Sequence, residues 1–480
     1  MGALTAAGQL LIVGTLPSYS RVFDPGTYGE YVIFVGAFTV VSVFAGMRYD
    51  SAIVLPRSEG LAAALSAVVI TIGMAVAALI AMFTVLAVTR APGLMPGRWA
   101  HGEGHFGYGL AAATALGTLQ RCLTAWCIRR GRFLVMGWGQ FLLALVTVGA
   151  QLSLAHLAGG LAALIWGLVC AMGVQAGCLA IFTLDSRDLR WTRAASLRGM
   201  RVAARRYRRF PAYMVGYALA SSVRDRLVQV ALGIGAGAAV VGRFGLAYRV
   251  MFAPNSLVYS AVSPVFFGIA SRGSRPAVGR FAAGLVEAAF VALVVPYVAF
   301  AIEAPSLTDG LLSHKWQGTG PYLQALAGPA LVLATTCWLD RAFDSFNRQR
   351  VAFSLEASFT LVSVLAVGVS SRLLGAVSTV WVFGLLAFAY YWIYFLSTFV
   401  ACGFPLSDFR RACVTAGFSL GITLILSALI HPITDLALRL AMYTLLLAAV
   451  TGGWIRFRGG ADILRALVQS RVNGSGGAGY

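Results

Sequence analysis

The chain is 480 residues long, 59% hydrophobic and only 11% charged. A soluble domain carries about 25% charged residues, so these figures exclude one large water-soluble core and describe a polytopic membrane protein. The net charge of +20 would point to nucleic acid in a soluble protein. Here it comes from arginines gathered in the loops of one membrane side, and no nucleic-acid partner is expected.

A helical span needs about 20 mostly apolar residues. Such stretches fall near 3–19, 30–47, 61–88, 107–128, 133–154, 158–183, 211–233, 239–270, 279–302, 319–339, 351–371, 374–400, 412–430 and 434–454. They predict an all-α polytopic protein of about 14 transmembrane helices. The first stretch is short and holds Pro17. It lacks a charged leader and a small-residue cleavage site, so it reads as a retained span rather than a signal peptide.

Orientation follows from where the arginines lie. With the N-terminus inside, one set of loops carries Arg48 and Arg57, then Arg129, Arg130 and Arg132, then nine arginines between 184 and 210. It continues with Arg272, Arg275 and Arg280, with Arg341, Arg348 and Arg350, with Arg410 and Arg411, and with the C-terminal tail. The opposite loops hold little beyond Arg21, Arg90, Arg98, Lys315 and Arg372. Both termini are therefore expected on the cytoplasmic side. No loop is long enough for a catalytic domain of ordinary size, and no enzyme activity is expected.

The basic stretch 184–210 divides the chain into a six-helix bundle over 1–183 and a second over 211–400. Two extra helices follow over 401–454, then a basic and flexible tail over 455–480. Within the stretch, Arg201, Arg205, Arg208 and Arg209 interleave with Leu197, Met200 and Val202, which fits either an amphipathic helix on the inner leaflet or a charged tether. A short repeat crosses the divide. Gly26-Thr27-Tyr28-Gly29-Glu30-Tyr31 opens the second span, and Gly237 through Phe244, with Gly242-Arg243-Phe244 at its end, opens the eighth. Two such halves would place a site at their interface near the midplane.

The run Asp24-Pro25-Gly26-Thr27-Tyr28-Gly29-Glu30-Tyr31 resembles the turn after the first helix of the O-antigen and exopolysaccharide flippases of the multidrug/oligosaccharidyl-lipid/polysaccharide exporter superfamily. Met47-Arg48-Tyr49-Asp50-Ser51 through Pro56 resembles the stretch after their second helix. Arg209-Phe210-Pro211-Ala212-Tyr213, followed by Val241 through Val250, resembles the start of their second half. Ser51 departs from the pattern, where a larger and often acidic side chain is usual. The resemblance implies two six-helix bundles around a central cavity that opens to each side in turn. It implies a polyprenyl-pyrophosphate-linked oligosaccharide as cargo and the bacterial inner membrane as location. Partners would be membrane lipids and the polysaccharide polymerase and chain-length proteins of O-antigen, capsule or exopolysaccharide assembly.

The charged residues inside the spans carry the chemistry. Arg224 and Arg226 lie roughly 20 Å along the seventh span and Arg249 roughly 15 Å along the eighth, at 1.5 Å per residue. An arginine at the bilayer centre costs roughly 2.5–3.5 kcal/mol on insertion scales, so at least one should face a wet cavity, and cationic walls suit an anionic passenger. Arg224 and Arg226 point to opposite sides of their helix; one faces the cavity and the other pairs with a neighbour such as Glu287, or both join a structural ion network with Asp225. Arg121, about 21 Å into the fourth span, either faces the lumen or snorkels inward. Glu287 and Glu356 are coupling sites for a cation or counter-ions for arginine. Arg48 and Asp50 sit at a cytoplasmic span end, where charges are cheap.

Other chemistries leave no trace. Cys122, Cys127, Cys170, Cys178, Cys337, Cys402 and Cys413 form no CxxC pair, so neither a disulfide framework nor a zinc site is expected. The histidines are scattered, no metal spacing occurs, and no nucleotide-binding loop appears; no cofactor is expected. Rival readings are a cation-coupled multidrug exporter of the same superfamily, a membrane enzyme, and a non-transporting member of a polysaccharide assembly complex. Intramembrane arginines and the two extra spans argue against the first. The short loops argue against the second.

Overall fold

A computed structural model of the chain describes residues 2–56, 58–90, 104–183, 196–208, 211, 215–270 and 273–457. Among these the protein is helical, without a β-strand. The tail beyond 457 and most of the basic stretch, 184–195, lie outside the described residues.

The chain divides by packing into two compact units, Met1–Gly245 and Leu246–Tyr480. The first unit begins with α1 (Gly2–Gly14) and α2 (Leu16–Val22). These are one expected span broken at Thr15, whose hydroxyl donates to the carbonyl of Leu11 (2.9 Å), just before Pro17 removes a backbone donor. Then follow α3 (Pro25–Gly46), α4 (Glu59–Arg90), α5 (His105–Arg129), α6 (Phe133–Ala158) and α7 (Gly160–Thr183). Asp24 caps α3 by accepting from the backbone N–H of Thr27 (3.0 Å) and from its hydroxyl (2.8 Å).

Between the expected bundles lies the short helix α8 (Leu197–Arg206), capped by Ser196 accepting from Gly199 N–H (3.1 Å). Part of its apolar surface packs on the first unit, while Leu197 and Val202 stay exposed. Ala203 is fully buried, and Met200, Ala204 and Tyr207 pack on the cluster formed by Ala62, Leu65, Val69 and Trp126. Tyr49 fixes the helix further by donating to the carbonyl of Ala204 (3.2 Å). The seventh span, α9 (Val215–Ala236), packs against α3 within the first unit, as does the start of α10 (Ala238–Ala270).

That last packing explains the sequence repeat. A β-carbon on Gly29 would overlap the carbonyl oxygen of Ala238, and one on Gly242 would overlap that of Pro25. The contact is reciprocal, and each glycine meets the residue four places before the other. Only glycine lets two helix backbones approach so closely.

The second unit holds the rest of α10, then α11 (Arg275–Leu311), α12 (Gly320–Thr336), α13 (Asp340–Ser345), α14 (Gln349–Leu373), α15 (Ala376–Cys402), α16 (Leu406–Ile430) and α17 (Leu436–Phe457). Two boundaries differ from expectation. α11 runs on to Leu311 through Pro305, and Gly320 packs closely on that proline: a β-carbon on Gly320 would lie 2.8 Å from Pro305 Cα. The tenth span is interrupted, since α12 tightens into a 3-10 turn at Cys337–Leu339 before α13.

Burial sorts the helices. The span Gly320–Ser345 is 78% buried over its most apolar stretch, whereas Gln349–Leu373 is 22% buried. The latter exposes Leu361, Val362, Leu365 and Val369, as a helix facing lipid should. Ten described helices are apolar and long enough to cross a membrane by length and composition. α5, α9 and α10 are not among them, and these carry Arg121, Arg224, Arg226 and Arg249.

Candidate functional site

In the first unit, α3 ends in two consecutive left-handed residues, Met47 (φ 46°) and Arg48 (φ 57°). Non-glycine residues pay for that conformation. The turn folds the chain back under α3, so that Asp50 is only 9% exposed instead of lying at a free span end. Asp50 there meets Arg121. A β-carbon on Gly46 would lie 3.1 Å from Asp50 Oδ1 and 3.5 Å from Arg121 Nε, so the glycine opens the space both groups use. Asp50 and Arg48 are the neighbouring side-chain charges that act on Arg121. The Arg121 Nη2 reaches Thr118 Oγ1 (3.4 Å). The Nε atoms of Arg48 and Arg121 are both buried without a hydrogen-bond partner. Two cations, one anion and two unused guanidinium N–H groups make a site that can take a further acceptor.

Arg226 stands apart from that cluster. Its Nη1 donates to Gln229 Oε1 (3.0 Å) and its Nη2 reaches Thr39 Oγ1 (3.4 Å), while its stem lies against Gly36. Both of these partners, among the described residues, are neutral. The side chains of Arg224 and Asp225 lie outside the described residues. Arg249 lies on α10 within the second unit and is half-buried.

The second unit pairs Glu287 and Glu303 with arginines. Glu287 on α11, 3% exposed, accepts from Arg411 Nε of α16 (2.8 Å), and Arg411 Nη1 also lies 3.7 Å from Asp408. Glu356 on α14 is half-buried. Near the other end of α11, the fully buried Glu303 holds Arg439 of α17: Nη1 lies 2.7 Å from Oε2 and 3.0 Å from Oε1. His431 Nδ1 is 3.8 Å from Glu303 Oε1. The sequence hides this trio, since Glu303 falls just past the apolar run 279–302. Its one signal was an arginine, Arg439, inside the last apolar run.

An apolar cavity of about 610 Å³ lies between α16 and α17. Phe418, Ile422, Leu426, Leu446, Val450 and Trp454 dominate its walls, with Thr415 and Ser419 on one side. Among the described residues no three His, Cys, Asp or Glu side chains come together as metal ligands would.

No protein-family model and no curated protein matches the sequence. Solved structures do match the fold. The lipid II flippase MurJ, in an inward closed conformation, aligns over 95% of this chain and 97% of its own, with 12% identity and a TM-score of 0.70. An inward-facing multidrug resistance transporter of the MATE family, in the MOP superfamily, aligns over 84% of this chain and 95% of its own, with 14% identity and a TM-score of 0.59. The Vibrio cholerae MATE transporter VcmN aligns over 83% and 97%, with 16% identity and a TM-score of 0.55. The chain therefore has the all-α polytopic fold that these transporters share.

Proposed function

We propose that the protein is a flippase that carries a polyprenyl-pyrophosphate-linked oligosaccharide across the bacterial inner membrane by alternating access. The observation that carries this reading is the apolar cavity between α16 and α17. A cargo with a long hydrocarbon tail needs such a surface, and a hydrophilic sugar alone does not. Supporting it, the flippase match extends over 95% of the chain while the drug-transporter matches of comparable fold cover 83–86%. The pyrophosphate would be met by guanidinium groups with spare donors, Arg121 and Arg48, and by Arg226, whose described partners are neutral. Hydrogen bonds between guanidinium and phosphate are charge-assisted and roughly twice as strong as neutral ones. Arg224 and Arg249 are proposed for the same task on the cargo path, and Glu356 and Asp225 as counter-ions.

The test is translocation in proteoliposomes of a fluorescent polyprenyl-pyrophosphate oligosaccharide, with a cationic dye as rival cargo. Wild type should move the lipid-linked sugar, and Ala449→Trp, which fills the cavity, should abolish that movement while the protein stays folded. Efflux of the dye without movement of any lipid-linked sugar would replace this reading with a drug exporter.

A further inference from the structure

The short helix α8, within the first unit, has one face that packs and one that the fold leaves open. Ala203 and Tyr207 turn toward the ends of α4 and α5, onto the cluster that includes Ala62, Leu65 and Trp126. At about 100° per residue, Arg198, Arg201 and Arg205 fall within about 60° of one another on the opposite side. All three are exposed, as is Arg206. The helix contains no acidic residue. Among the described residues, no side chain or carbonyl bonds to any of these four guanidinium groups.

The arginines at the nearby end of α5 are used by the fold. Arg129 donates to the carbonyl of Pro56, Arg130 to that of Thr183 (2.8 Å) and Arg132 to that of Phe182. Those of α8 answer to nothing in the protein, and they stand beside apolar side chains that are equally open. Leu197 is 84% exposed and Val202 56%, and the two border the arginine stripe on either side. A soluble anion has no use for an exposed leucine and valine. A lipid leaflet uses both kinds of residue, the apolar ones at the acyl boundary and the arginines at the phosphates. The cluster under α8 is built from the start of α4 and the end of α5, the span ends expected on the cytoplasmic side from the arginine distribution. That puts α8 at the level of the inner headgroups.

We propose that Arg198, Arg201 and Arg205 of α8 dock on the headgroups of anionic phospholipids in the inner leaflet, with Leu197 and Val202 set at the acyl boundary. Basic side chains within a Debye length of an anionic leaflet are drawn to it, and the attraction grows with their number. The contact has a second end. Tyr49, 8% exposed, donates to the carbonyl of Ala204 (3.2 Å) on the packed side of α8, and Tyr49 stands between Arg48 and Asp50 in the chain. Lipid that holds α8 therefore also steadies the left-handed turn at Met47 and Arg48. The surface stands on α8 itself and does not depend on the nature of the cargo.

The experiment is hydrogen–deuterium exchange of the full-length protein in nanodiscs of phosphatidylcholine, alone or mixed with phosphatidylglycerol. Wild-type α8 should exchange about tenfold more slowly in the anionic discs, and high salt should erase the difference. The triple variant Arg198→Gln, Arg201→Gln, Arg205→Gln leaves the packed face intact and should exchange alike in both discs. The triple variant Arg198→Lys, Arg201→Lys, Arg205→Lys keeps the charge and should keep the difference. Thermal unfolding of each variant shows that the fold persists. Equal exchange of wild-type α8 in the two lipids, or a difference that survives high salt or the glutamine variant, would overturn the proposal. So would inorganic pyrophosphate slowing exchange in neutral discs as much as the anionic lipid does, because the surface would then take a soluble anion. Because no cargo enters the assay, failure of the flippase reading leaves this result standing.

Discussion

The two units treat their intramembrane arginines differently. In the second, Arg411 and Arg439 end on glutamates, Glu287 and Glu303, at 2.8 Å and 2.7 Å. In the first, the described partners of Arg226 are an amide and a hydroxyl, and the Arg121 guanidinium shares a single aspartate, Asp50, with Arg48. A paired guanidinium has its charge answered by the protein. One held by neutral groups has its position fixed while its charge is left for something else. The lesson is that an intramembrane arginine should be judged by its partners and not by its depth.

The comparison breaks if the second unit does not need its pairs. Arg439→Ala leaves Glu303 buried and uncompensated, and should destabilise the protein by roughly 3–5 kcal/mol, seen as a large drop in unfolding temperature in detergent. Recovery of stability in the double variant with Glu303→Gln would sharpen the point. Next in size, Arg226→Gln should leave the unfolding temperature close to wild type yet slow transport of lipid-linked oligosaccharide about tenfold, the loss expected for one charge-assisted contact. If that variant instead unfolds as readily as Arg439→Ala, the distinction between the units is wrong.

The smallest effect concerns Asp24, whose hydrogen bonds come from Thr27 and not from a guanidinium. Burial alone would raise the Asp24 pKa, but the bonds from the Thr27 hydroxyl and from backbone N–H groups outweigh it and hold the carboxyl below its ordinary 3.8. Asp24→Ala should cost about 1 kcal/mol as a lost helix cap. The contribution is complete above the ordinary value and disappears as pH falls through the lowered one, so wild type and variant should converge in stability only in strong acid. A constant difference down to the lowest pH would show that the cap acts through shape and not charge.

Much of the fold was legible because membrane spans announce themselves: a long apolar run has few alternatives. Arg121, Arg226 and Arg249 could be placed on their helices by counting residues. Their partners could not. Nothing local to Arg439 points to a glutamate 136 residues earlier, and Arg48 and Asp50 read as cheap interfacial charges until two left-handed residues turn the chain inward. The break in α12 carries no proline or glycine at Cys337–Leu339, so Asp340 read as part of a basic loop. The extension of α11 was hidden by Pro305 and Glu303, which look like the end of a span. The glycine repeat succeeded because its cause is steric and local to two short motifs.

The crossing of α3 and α10 has one more consequence. On each of Gly29 and Gly242 the hydrogen standing where a β-carbon would be aims at a carbonyl oxygen of the facing helix. Such Cα–H···O contacts are worth perhaps 0.5–1 kcal/mol each, and they involve no group that titrates or is screened by salt. The tie at Glu287, whose partner Arg411 is 40% exposed, is open to screening by salt. This seam between the two repeats should hold equally well in acid, in base and in brine.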